Sequence, residues 1–105
     1  MISQKWVRIK NQVLGEKFDL SVVFAADALM RKLNKTYRKK QEAADVLSFT
    51  LSKTMGEIFI NKKFKGKDYA DYLFIHSLLH LKEFKHGKKM DKEEEKIIKK
   101  FKLAI

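Results

Sequence analysis

Apolar positions recur along this chain with two different periods, and the switches between them predict its elements. Trp6, Ile9, Val13 and Leu14 fall at helical spacing over residues 3–14. Ser3 can accept from the free amides of the first turn, and Gly15 can end the last one. Phe18, Leu20, Val22 and Phe24 then alternate with other residues, the pattern of a half-buried strand. Asp27 opens a second helix, along which Leu29, Met30, Leu33 and Tyr37 make one apolar stripe. After a break at Lys39–Gln41, residues 46–51 (Val-Leu-Ser-Phe-Thr-Leu) read as a strand, 52–55 as a turn and 56–60 as the hairpin partner. Residues 62–68 form a basic loop. Residues 69–82 carry Leu73, Phe74, Leu78 and Leu81 in several helical directions, which predicts a helix crossing the core. Asp91, with Glu94 three residues on, has the spacing of a capping box at the start of a last helix containing Ile97, Ile98 and Phe101. The sum is an α+β fold, a small sheet of about three strands packed against helices, in one domain spanning residues 1–105.

Composition narrows the class. Apolar residues make up 45% of the 105, enough to bury a small core. The first ten residues mix charged with apolar side chains, so no signal peptide is expected, and no apolar run reaches membrane-spanning length. Cysteine is absent, which removes disulfides and thiolate ligands and suits a reducing, cytoplasmic setting. Twenty-four Lys and Arg against thirteen Asp and Glu leave a net charge of +11. That surplus attracts polyanions, nucleic acid before membrane surfaces. Arg31, Lys32, Lys35, Lys39, Lys40 and the lysines of residues 62–67 are candidate backbone contacts, although each taken singly reads more readily as a solvated surface charge.

The candidate chemistry lies in one short stretch. All three histidines, His76, His80 and His86, fall within residues 76–86. On a helix, positions 76 and 80 project from the same face one turn apart, where two imidazoles can share an ion. A turn over residues 82–85 can fold His86 back as a third ligand. Three protein ligands with one open position characterise catalytic rather than structural zinc sites. The opposing reading is three unrelated histidines, one buried and two exposed. The spacing also matches zinc peptidases that need Glu directly after the first His; Ser77 stands there, which argues against a peptidase.

Beyond spacing, several motifs occur together in order. Residues 33–38 (Leu-Asn-Lys-Thr-Tyr-Arg), 45–49 (Asp-Val-Leu-Ser-Phe), 56–58 (Gly-Glu-Ile) and the histidine stretch resemble the YbeY family, over roughly residues 18–102. That family comprises bacterial ribosomal-RNA maturation factors described as metal-dependent, single-strand-specific endoribonucleases. The resemblance implies one zinc ion, or another imidazole-preferring divalent metal, on His76, His80 and His86. It implies that Arg38 faces the metal cleft as a catalytic group, where a guanidinium can hold a phosphate bidentately. Without the resemblance, Arg38 reads as a cation closing a helix C-terminus. It further implies single-stranded regions of rRNA as substrate, the small ribosomal subunit or its proteins as partners, and neither membrane nor DNA. No general base stands out: Ser77 is too weakly basic, and Glu57 is a distant candidate.

The chain departs from the family pattern at Ala43-Ala44 where Pro-Thr is usual, at Ser77 where Gly is usual, and at Glu83-Phe84-Lys85 where Gly-Tyr-Asp is usual. If the last turn needs a positive φ, losing its glycine costs about 1 kcal/mol. A strand usual before the first helix is missing, and a helix usual after the 56–60 strand is reduced to the basic loop. A second function fits the same residues: a non-catalytic ribosome-assembly factor in which the metal holds a helix and loop together and the positive charge binds rRNA.

Overall fold

The computed structural model describes residues 2–105. In chain order it contains α1 (Gln4–Leu14), β1 (Asp19–Ala25), α2 (Asp27–Arg38), β2 (Val46–Ser52) and β3 (Met55–Asn61). A single 3-10 turn (Lys62–Phe64), α3 (Asp68–Leu81) and α4 (Lys88–Lys100) follow. The expected α+β class holds.

The sheet order is β1-β3-β2, with β3 central. β2 and β3 form the expected antiparallel hairpin, with Ser48 opposite Ile58. β1 pairs with β3 in parallel, with Val22 opposite Ile58. A parallel pair needs a long crossover, and α2 together with β2 supplies it.

Both faces of the sheet are covered, because alternate residues point to opposite sides. Leu20, Val22, Phe24, Ile58 and Ile60 join the main core with α1, α3 and α4. Val23, Leu47, Phe49 and Phe59 turn the other way and pack with Met30 and Leu33 of α2. α3 runs through the main core, burying Leu73, Phe74, Ile75, Leu78 and Leu79. Each such side chain contributes about 1.5–3 kcal/mol on leaving water, so the helix that carries two of the histidines is anchored by its apolar faces.

α1 forms as its sequence dictates. The Ser3 hydroxyl accepts from the Trp6 amide at 3.2 Å, and the Gly15 amide closes the other end on the Asn11 carbonyl. Trp6 stacks on Phe74 with ring centroids 4.1 Å apart, and its indole N–H donates to Asp71 at 2.7 Å, so α1 is fastened to α3.

Three expectations need correction. The stripe on α2 is narrower than its periodicity implies: Met30 is buried, but Leu29 and Tyr37 are exposed. The inward position is taken by Asn34, whose amide donates to the Glu42 carbonyl at 2.8 Å and holds the loop before β2. The basic loop contains the 3-10 turn, capped by the Asn61 side chain accepting from the Lys63 amide. The capping box does not form. Gly87, at φ 146°, starts α4 at Lys88, which leaves Asp91 in the first turn and turns Glu94 inward.

Candidate metal centre

α3 presents its imidazoles in a row. His76 and His80, one turn apart, have ring centroids separated by 4.6 Å and Nε2 atoms by 3.1 Å. His86 follows from the turn after α3, with its ring 5.0 Å from His76 and 4.6 Å from His80. One ring nitrogen from each of the three lies within 4.8 Å of the others.

That turn is built as a Schellman motif. The Glu83 amide donates to the His80 carbonyl and the Phe84 amide to the Leu79 carbonyl, both at 2.9 Å. The motif demands a left-handed residue, and Glu83 takes it at φ 72°. A side chain there costs about 1–2 kcal/mol relative to the right-handed region, as expected from the missing glycine. Phe84 repays part of this by packing against the main core.

The residue that sequence reasoning missed is Glu94. Glu94 is 6% exposed, and its Oε2 lies 2.8 Å from His76 Nδ1. With Nδ1–H donating to Glu94, the lone pair of His76 is left on Nε2, the nitrogen facing His80. A signal for this was present: Glu94 stands between Met90 and Ile97 on the inward stripe of α4, where a carboxylate is out of place unless it has a partner.

His80 is held below the ordinary histidine pKa, first by burial and then by the positive charge its His76 and His86 neighbours would carry; a hydrogen bond to the Phe84 backbone opposes the shift. The neutral imidazole favoured in this way is the form that ligates metals.

The donor set suits a borderline divalent ion. Two imidazole nitrogens on a tetrahedral centre, each at about 2.0–2.1 Å, stand about 3.3 Å apart. The His76–His80 spacing of 3.1 Å is close to that. His86 is the exposed member of the set, on the turn after α3.

The histidines open onto a cleft of about 620 Å³, and Arg38, at the C-terminal end of α2, lines the same cleft. Ser48 of β2 lines it too, whereas Asp45 lines an adjoining cavity. The Asp45 backbone carbonyl also accepts from the Asn61 amide at 2.8 Å, which pins the start of β2. Among the described residues, no carboxylate lines the cleft itself, and Glu57 is not part of its wall. Ser77 is buried beside His76.

A three-imidazole cluster open to solvent on one side is the arrangement of a metal-dependent enzyme site rather than of a closed structural metal. The sequence profile of the family described as Endoribonuclease YbeY matches residues 2–102, and the chain belongs to that family. It is 31% identical to the Endoribonuclease YbeY of Neorickettsia sennetsu, over 85% of this chain and 77% of that protein. It is 30% identical to that of Aquifex aeolicus, over 87% and 72%. With the Pelagibacter ubique protein of the same name it shares 31% identity over 91% and 78%. Among the described residues, no helix is long and apolar enough to cross a membrane.

Proposed function

We propose that this protein is a metal-dependent endoribonuclease that cuts single-stranded regions of rRNA, with His76, His80 and His86 as the ligands of one zinc-type ion. The observation that carries this is the convergence of three imidazole nitrogens within 4.8 Å at a cleft that Arg38 also lines. Family membership supports RNA as the substrate, and the net charge of +11 suits a polyanion.

An ion held by these three imidazoles would supply Lewis acidity toward a phosphoryl oxygen and acidify water at the site. The protein does the rest. Glu94 fixes the His76 tautomer and ring orientation, so that Nε2, on the side of His80, is the nitrogen that would ligate. Arg38 holds non-bridging oxygens of the scissile phosphate, in a fork that stabilises charge building there. Arg31, Lys32, Lys35, Lys39 and Lys40, on and just after α2, and the lysines of residues 62–67 draw the strand in. Among the described residues no carboxylate lines the cleft, and in this reading solvent takes the nucleophile's proton. The setting is the cytoplasm, on pre-ribosomal RNA and the small subunit. An assembly factor without catalysis is the weaker reading, because a purely structural metal does not require a cleft shared with an arginine.

Metal content per chain, measured on wild type and His86→Ala, is the deciding experiment. One zinc-type ion per chain, weakened in the variant, supports the three-histidine site; wild-type protein that binds none defeats it. Arg38→Ala is expected to keep the metal while losing cleavage of single-stranded RNA, and unchanged turnover in that variant removes the role given to Arg38.

A further inference from the structure

A second cavity, of about 410 Å³, adjoins the histidine cleft and shares Arg38, Val46 and His76 with it. One wall is aromatic. Tyr69 and Tyr72 lie with ring planes 15° apart and centroids 6.0 Å apart, and Tyr72 continues to His76 at 28° and 5.6 Å. The spacing 69, 72, 76 puts the three rings on one face of α3, in a row that ends at the metal centre. The opposite wall is the segment 42–46 leading into β2. The Tyr69 hydroxyl spans the two walls, donating to Asp45 Oδ2 at 3.1 Å. Burial and this hydrogen bond to Asp45 raise the Tyr69 pKa, so the phenol stays protonated and keeps donating.

Two further features point to a ligand. Asn34 lines the cavity at 2% exposure, and its Oδ1 has no hydrogen-bond partner although its amide nitrogen is engaged by Glu42. A buried acceptor in that state is costly unless a donor or an ordered water meets it. Arg38 and Lys40 also line the cavity and supply positive charge beside the aromatic row.

We propose that this cavity is a subsite for one unpaired nucleobase, the one next to the phosphate held at the histidine cleft. The inference rests on the nuclease reading above and deepens it. Aromatic side chains provide sequence-tolerant platforms for bases, and cations beside them hold the connecting phosphates. A base that stacks on side chains has left the stack and pairing of a duplex, so a subsite of this kind takes unpaired strands. Preference for single strands therefore arises at the Tyr69–Tyr72 row, and the metal centre itself needs no means of distinguishing paired from unpaired RNA.

The test uses zinc-loaded protein and a short single-stranded RNA carrying one 2-aminopurine, moved through successive positions. Fluorescence is read immediately on mixing, before cleavage. Wild type is expected to quench the probe strongly at one position. Tyr72→Leu is expected to lose that quench and weaken binding about tenfold, while Tyr72→Phe retains both. Unchanged thermal unfolding of Tyr72→Leu shows that the loss is not one of folding. Equal quenching by wild type and Tyr72→Leu, or no position-dependent quench, overturns the subsite. Quenching that follows Tyr72 in a protein that never cuts the RNA leaves the subsite standing and defeats the nuclease; cleavage without the quench does the reverse.

Discussion

The three histidines sit in two contrasting settings. His76 and His80 ride on α3, whose apolar residues are buried from Ala70 to Leu81. His76 is braced by a buried carboxylate, and His80 by a backbone hydrogen bond at Phe84. His86 lies on an exposed turn that follows a left-handed Glu83. The pair is pre-organised by the core, and the third histidine is delivered by a segment under local strain. Ion affinity should therefore be set mainly by the pair and tuned by the turn.

Replacing a member of the pair should have the largest effect. His80→Ala is expected to abolish stoichiometric metal binding in elemental analysis; retention of one ion per chain would break the contrast between pair and turn. His86→Ala should bind the ion more weakly and leave His76 and His80 still able to hold it, which chelator competition can measure. Glu94→Gln keeps an acceptor for His76 and removes its charge, and affinity should fall about 10–100-fold with thermal unfolding little changed. Loss of stability without loss of affinity would make Glu94 only a packing residue. The smallest effect is expected at the turn. Glu83→Gly should stabilise the fold by about 0.5–1 kcal/mol, the left-handed strain relieved less the extra freedom of an unfolded glycine, read as a rise of a few degrees in Tm.

What could be read from the sequence follows the range of the interactions. α1 was legible because its cap, stripe and glycine stop all lie within fifteen residues. The β2–β3 hairpin was legible for the same reason, and the histidine spacing pointed directly to the cluster of three imidazoles. The parallel partner of β1 was not, since Val22 and Ile58 are joined only by a pairing across the whole α2–β2 crossover. Glu94 was misread because its spacing from Asp91 is a local signal, whereas its partner His76 lies eighteen positions away. Asn34 was missed because polar side chains are normally placed outside, and it is inside to hold the Glu42 carbonyl.

Trp6 has an optical consequence. It is the only tryptophan in the chain, buried against Phe74 on the same helix that carries His76 and His80. Intrinsic emission excited at the indole band therefore comes from a single, known location and reports whether α1 remains seated on α3. The undocking of α1 during unfolding can be followed through that signal in unlabelled protein, with no substitution needed.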